Sequence, residues 1–324
     1  MLGLKAIVGQ DAAVAVLARA LAAGKLASAY LFEGMAGVGK ASFALALAQA
    51  TSCERAPGWG CGVCEPCRKI ASGLHPDFLR ISPDGQFIKI AQIRQVTARA
   101  GYRPHEGQAR IVVLDPADAM NLEAANALLK TLEEPPAGTH FILISAAPER
   151  LPLTVRSRCQ RVRFVPLARA HVASWLERER GLAAADAEVV AALSGGSLSL
   201  AGELAEGGAW AARRAEVARI EQAVEADGMG AVLLVATELK DDKASLPASL
   251  ELLRVRYRDA LLSSLGADEG RLVHDAAEVA PLATLGPDRL QRRIATVAEA
   301  ELALRSNVSP QLCLERMMLR LREC

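Results

Sequence analysis

Gly34-Met35-Ala36-Gly37-Val38-Gly39-Lys40 is the stretch on which the reading of this chain turns. An apolar run, Ala29-Tyr30-Leu31-Phe32, leads into it, and Ser42 to Gln49 reads as the start of a helix behind it. A strand, a glycine-rich turn and a helix opening on lysine make a phosphate-binding loop. The glycines let successive backbone N–H groups turn inward around an anion, and the helix N-terminus adds partial positive charge. Lys40 then reaches the terminal phosphates of a nucleotide such as ATP or ADP. The bland alternative is an ordinary glycine-rich turn, but Gly34, Gly37, Gly39 and Lys40 all fit the phosphate loop in the right context.

Hydrolysis asks for more than the loop. The next position is Ala41, with no hydroxyl to give to Mg²⁺ where Ser or Thr is expected. Ser42 comes one residue late, about 100° further round a helix. Ile111-Val112-Val113-Leu114 is continuous and β-branched, as a strand buried on both faces should be, and it ends in Asp115, the expected second metal contact. Pro116 follows where a working ATPase would carry a Glu to polarise water, and Asp118 is poorly placed to replace it. The sequence therefore predicts slow or no hydrolysis and leaves nucleotide binding open.

Other strands alternate with helices: Asp77 to Ile81, Phe141 to Ile144 and, more weakly, Val162 to Val165, separated by helices over Ile90 to Arg99 and Ala124 to Glu134. Such alternation argues for an α/β fold with a parallel sheet and crossover helices. Past Pro166 the strand signal vanishes into Ala/Leu/Glu/Arg-rich sequence, with a break at Gly195-Gly196 and further breaks near Asp227-Gly228, Pro247, Gly266 and Pro281. The expected organisation is a phosphate-loop domain over 1–166, a small helical lid over 167–207 and an all-helical C-terminal domain over 208–324. Ser309 can cap the last helix, Pro310 suits its first turn, and Leu312, Met317 and Leu319 can supply its buried positions.

Cys53, Cys61, Cys64 and Cys67 fall within that first domain as C-x7-C-x2-C-x2-C. Four soft sulfurs converging on a point suit tetrahedral Zn²⁺ with no open position, which makes a structural centre. An iron–sulfur cluster and free thiols are the alternatives. The charges around the cysteines are mixed (Glu54, Arg55, Glu65, Arg68, Lys69), which argues against a basic DNA-binding zinc module.

The 324 residues suit about two domains, or three small ones. With 51% hydrophobic and 23% charged residues the composition is globular, and 4% aromatics favour cores of small aliphatic helices. A formal charge of +1 excludes a wholesale electrostatic grip on nucleic acid. There is no uninterrupted apolar stretch of about 18 residues and no signal-peptide layout at Met1-Leu2-Gly3-Leu4-Lys5, so the chain reads as cytoplasmic. Seven cysteines in a reducing compartment are then unlikely to form a disulfide set.

Arg156, Arg158, Arg161 and Arg163 form a basic run. By charge spacing alone it is a solvated edge leading into the last strand. The other reading is an arginine offered across a subunit boundary to a neighbour's γ-phosphate.

Taken together, the motifs resemble the bacterial clamp-loader branch of the AAA+ ATPases. The resemblance is carried by Val8-Gly9-Gln10, the four-cysteine insertion and Leu74-His75-Pro76-Asp77, by Asn126-Ala127-Leu128-Leu129-Lys130-Thr131-Leu132-Glu133-Glu134-Pro135-Pro136, and by Ser157-Arg158-Cys159 and Asn307 to Arg316. It covers nearly the whole chain, with least detail from about 205 to 300. It implies a AAA+ sheet domain, a helical lid and a C-terminal collar. It also implies a hetero-pentamer with gamma/tau motor subunits and a delta subunit, which loads the sliding clamp onto primer-template DNA for DNA polymerase III. The subunit this chain resembles is a rigid stator. Its zinc is structural, its own nucleotide site is degenerate, and Arg158 is offered in trans to an adjacent ATP site. One departure stands out: Gly196-Ser197-Leu198-Ser199-Leu200-Ala201 lacks the arginine that hydrolysing relatives carry after the Gly-Ser turn. The rival readings are an ATP-hydrolysing motor subunit of the same complex, and a zinc-ribbon DNA-binding protein unrelated to clamp loading.

Overall fold

The computed structural model describes residues 3–240, 246–268, 272–304 and 308–324. Asn307, Met1 and Leu2 lie outside the described residues. The described part divides into two compact units, one of Met1–His171 with Gly196–Ser199, the other of Val172–Gly195 with Leu200–Cys324.

The first unit is built on five parallel strands: β1 (Ala29–Glu33), β2 (Phe78–Ile81), β3 (Arg110–Leu114), β4 (Thr139–Ser145) and β5 (Gln160–Arg163), in the order β2-β3-β4-β1-β5. Helices α1 (Asp11–Ala22), α2 (Lys40–Ser52), α3 (Glu65–Ala71), α4 (Ile90–Ala100), α5 (Leu122–Glu133) and α6 (Leu153–Arg156) connect and cover them. This is the α/β class that the sequence predicts, a parallel sheet with helices between the strands and a glycine-rich loop after β1. β1 and β3 are buried along their whole length, as their unbroken apolar runs require.

Alternation along each strand feeds two cores. Tyr30, Phe32, Ile111, Val113, Ile142 and Ile144 pack on one face with Leu17, Phe43 and Leu47 of α1 and α2. Leu31, Val112, Leu114, Phe141 and Leu143 pack on the other with Ile93 of α4 and Leu128 of α5. Three of the chain's six phenylalanines meet under the phosphate loop: Phe43 stands edge-on to Phe32 at 5.7 Å and to Phe164 at 5.2 Å.

β5 begins two residues earlier than the apolar signal of Val162 to Val165. Its Gln160, Arg161 and Arg163 are polar because an edge strand buries only one face. Helix α5 is capped by Asn121, whose side chain accepts from the Ala124 amide at 2.9 Å.

The second unit is entirely helical among the described residues: α7 (Arg169–Arg180), α8 (Ala184–Leu193), α9 (Leu198–Ala205), α10 (Ala209–Glu225), α11 (Gly230–Leu239), α12 (Leu246–Ser264), α13 (Ala276–Ala283), α14 (Pro287–Leu304) and α15 (Pro310–Glu323), with α7 and α9 beginning in the first unit. α12 packs along α14 and α13. Buried Asp259 accepts from the Val273 and His274 amides and from the His274 ring. α15 corrects part of the sequence reading. Ser309 sits at its N-cap but makes no side-chain capping bond. Leu312 is 62% exposed and Leu319 only half-buried, while Cys313, Leu314, Met317, Met318 and Leu321 face inward. The apolar stripe is broad, and its centre lies one position beyond Leu312.

Asp77, at the end of Leu74-His75-Pro76-Asp77, fixes the loop that enters β3. Its buried carboxylate accepts from the His105, Glu106 and Gly107 amides at 2.8–3.0 Å and from Arg110 at 3.0 Å. Burial alone would raise this carboxyl, but the amide donors and Arg110 outweigh it and hold it below the ordinary aspartate value. A depressed folded-state value contributes stability that is present above the unfolded-state value and lost as pH falls through the folded one. Asp77→Asn is therefore expected to destabilise the first unit by roughly 3–5 kcal/mol at neutral pH, because Arg110 is left buried without its charge partner. Urea unfolding of the two proteins across pH checks it: the gap closes as pH falls below the ordinary aspartate range.

Candidate functional site

The phosphate loop joins β1 to α2 at the carboxyl edge of the sheet. Gly34, Gly37 and Gly39 all take positive φ (144°, 79° and 99°). Two of them are also held by close neighbours. A Cβ on Gly34 would lie 2.3 Å from the Phe164 carbonyl oxygen, and one on Gly37 would lie 2.0 Å from Ser197 Oγ. The turn at Gly196-Ser197 thus closes over the loop, and the Leu198 amide donates to the Gly37 carbonyl at 2.9 Å. Gln10 braces the other side: its amide nitrogen donates to the carbonyls of Val38 (3.2 Å) and Val165 (2.8 Å), and its oxygen accepts from the Val165 amide.

Lys40 is only 6% exposed. Its ammonium donates to the loop's own carbonyls, those of Gly34 and Met35 at 2.5 and 2.7 Å. Burial pushes it below the ordinary lysine value, against the opposing pull of Asp115 and Asp118. A cavity of about 370 Å³ opens beside it, lined by Gly37, Gly39, Lys40, Ala41, Arg80 and Asp115 among others. Ser42 also lines this cavity, so its offset on the helix does not turn it away altogether.

The oxygens that should hold Mg²⁺ are missing or engaged. Ala41 offers a methyl group. Asp115 accepts from Arg80 Nη2 at 2.8 Å, and Asp118 accepts from Ser145 Oγ at 2.5 Å. Strand register explains the first pair. Arg80 lies opposite Val113, and the side chain of Asp115, two residues on, returns to the same face. Sequence reading named Asp115 and missed Arg80, which looks like a solvated strand residue until the register of β2 on β3 is known. The Mg²⁺ that a phosphate-loop ATPase uses does not fit these residues.

The basic run divides by role. Arg161 and Arg163 both donate to Glu33, the last residue of β1 and only 5% exposed, at 2.7–3.0 Å. They hold the edge strand β5 onto its neighbour β1. Arg158 is different. Cys159 beside it is buried in the core, its thiol pushed up to about 12 by desolvation, and this anchors the turn while Arg158 stays outside. Arg158 donates to Glu133 Oε1 at 2.6 Å and to the Thr154 carbonyl at 2.9 Å. A guanidinium has five N–H donors, so most remain.

The four cysteines converge. Cys53 ends α2, Cys64 caps α3 and Cys67 lies within it, and the four Sγ atoms sit within 4.8 Å of one another. Cys53 and Cys64 sulfurs are 3.8 Å apart. The edge of a tetrahedron with Zn–S bonds of about 2.3 Å is about 3.8 Å, so the spacing fits such an ion. Backbone amides already point at the sulfurs: Ala56 and Cys61 donate to Cys53 Sγ at 3.2 Å, and Cys64 donates to Cys61 Sγ at 3.3 Å. Amide donation from Val63 and Cys64 lowers the Cys61 thiol to about 6, while desolvation raises that of Cys67 to about 12. The module also secures the start of the chain, where the Leu4 amide donates to the Trp59 carbonyl at 2.8 Å and the Lys5 ammonium lies 5.0 Å from the Trp59 ring.

Residues 9–168 match the family model described as DNA polymerase III, delta subunit. The chain is 31% identical to DNA polymerase III subunit delta′ of Bacillus subtilis, covering 92% of each chain. It is 32% identical to subunit delta′ of Escherichia coli, covering 92% of this chain and 90% of that one. It is also 38% identical to subunit tau of Salmonella typhimurium, over 47% of this chain and 24% of tau. No helix among the described residues is long and apolar enough to cross a membrane. Because the likeness to the delta′ subunits covers at least nine-tenths of both partners, this chain belongs to the DNA polymerase III delta′ family.

Proposed function

We propose that the chain is the stator of a clamp loader, lending Arg158 to a neighbour's ATP while its own pocket does no hydrolysis. Its partners are then gamma/tau and delta subunits, and through them the sliding clamp and primer-template DNA. The reading rests on one contrast. In the chain's own pocket Ala41 has no hydroxyl, Asp115 is already paired with Arg80 and Asp118 is bonded to Ser145, whereas Arg158 is kept at the surface with donors to spare. A guanidinium delivered to a γ-phosphate neutralises charge that builds on the transferring group, and such fingers are worth roughly 10³–10⁵ in rate. Glu133 and the Thr154 carbonyl fix the direction of the arginine before the neighbour arrives. The segments 1–166, 167–207 and 208–324 belong to the same proposal as AAA+ domain, lid and collar.

The motor-subunit alternative draws on the 38% identity to tau over 154 residues. Ala41, Pro116 and the Arg80–Asp115 pair oppose it. The zinc-ribbon DNA-binding alternative would need a basic module, and Lys69 there is tied to Glu65 and Glu106.

Zn²⁺ bound by Cys53, Cys61, Cys64 and Cys67 would be structural: with four thiolates the shell is closed, and it would tie the end of α2 to α3.

Two outcomes follow. In a reconstituted loader, Arg158→Ala should lower single-turnover ATP hydrolysis at the served site by about 10³-fold, with the isolated chain turning over no ATP above background. Stimulated hydrolysis at the unsubstituted level, or vigorous hydrolysis by the isolated chain, would refute the stator reading. Metal analysis of protein purified without chelator should find about one zinc per chain. Cys67→Ser should lower both zinc content and melting temperature. Negligible zinc would exclude the metal, and iron with visible absorbance would favour a cluster instead.

A further inference from the structure

We propose that the pocket over the phosphate loop binds the polyphosphate of a nucleotide without a divalent cation, Arg80 standing where the metal's charge would be. This rests on reading the pocket as a degenerate nucleotide site, and goes beyond it by naming the form of ligand taken.

In a working site a divalent ion sits between a hydroxyl after the lysine, a carboxylate at the end of the neighbouring strand, and the β- and γ-phosphate oxygens. Here Ala41 removes the hydroxyl. The Asp115 carboxylate, 17% exposed, already has a cationic partner in the Arg80 guanidinium at 2.8 Å. Asp118 is taken by Ser145 Oγ. A cation entering this position would meet Arg80, and like charges at that range repel.

The same arrangement favours a bare polyphosphate. Asp115 on its own would repel a phosphate; paired with Arg80 it does not. Arg80 lines the cavity beside Lys40, and its side chain is 56% exposed, so most of its N–H donors remain open to a ligand. Lys40 spends two of its three N–H groups on the Gly34 and Met35 carbonyls and has one left. The first turn of α2 adds amides without intrahelical partners. Planar guanidinium and point-charge ammonium are the two side chains best suited to phosphate oxygens. The cavity's 370 Å³ falls within the range of small-molecule sites, roughly 300–1,000 Å³.

Calorimetric titration of the full chain with ATP and with inorganic tripolyphosphate, in EDTA and in excess Mg²⁺, tests this. The expected result is binding in EDTA, with affinity for ATP changed by less than about threefold when Mg²⁺ is supplied. Arg80→Ala should weaken binding in EDTA by at least about tenfold, the loss of a charge-assisted contact. Its unfolding curve should match that of the unsubstituted chain, because Arg80 is largely exposed. Binding that tightens by about tenfold or more with Mg²⁺, no binding of either probe, or an Arg80→Ala affinity equal to the unsubstituted one would each overturn the proposal. None of these outcomes bears on Arg158, which is tested in the assembled loader, so the two readings fail separately.

Discussion

A single buried carboxylate, that of Glu33, ties the strand that enters the phosphate loop to the strand that follows the Arg158 turn. It ends β1, immediately before the phosphate loop, and it holds Arg161 and Arg163 of β5. β5 begins two residues after Arg158. The strand that leads out of the turn bearing the surface arginine is therefore bolted to the strand that leads into the glycine loop. An edge strand this short and polar has little apolar area to hold it, with only Val162 buried among its four residues. Charge-assisted hydrogen bonds to a carboxylate shielded from water supply the missing grip. In the proposed stator, drift of the turn that carries Arg158 would work against the ion pairs that Arg161 and Arg163 make with the shielded Glu33 carboxylate.

The legibility of the sequence followed the physics of each element. β1, β3 and β4 are unbroken apolar runs because helices cover both faces, and such runs stand out from any surrounding sequence. The cysteine quartet was equally plain, since thiol spacing is local. The first two residues of β5, Gln160 and Arg161, give no apolar signal because an edge strand shows polar residues on its open face. Leu312 has the apolar character of a buried position and is exposed, because a short helix with a wide stripe does not fix its own rotation. The least legible features were pairings across the sheet. Nothing local to Arg80 distinguishes it from a solvated strand residue, nor Glu33 from a turn residue. Both depend on register, which is settled by the whole sheet at once.

The phosphate loop itself teaches a related point. Its glycines and lysine match the motif fully, more fully than a site without metal oxygens would need for chemistry. The structure supplies reasons for them that involve no nucleotide. Gly34 is packed against the Phe164 carbonyl and Gly37 against Ser197, so a side chain at either would displace the backbone after β5 or the Gly-Ser turn. Lys40 cross-links its own loop through two carbonyls. These residues hold the loop's shape whether or not a phosphate sits in it, and the motif alone is therefore weak testimony for binding.

What separates a relic from a binding site is the charge facing the open cavity. A loop kept only for its shape has no use for a second cation at the end of β2. Apolar or neutral residues there would leave Asp115 to water, at no expense to the fold. Instead Arg80 neutralises Asp115, the carboxylate that lines the cavity, and does so from a largely exposed position where its remaining donors stay available. In the proposed reading, the guanidinium that pairs with Asp115 in place of a metal also suits the pocket to the anion alone. The proposed exclusion of the metal and the proposed affinity for the bare anion thus share one guanidinium, set by the register of two neighbouring strands.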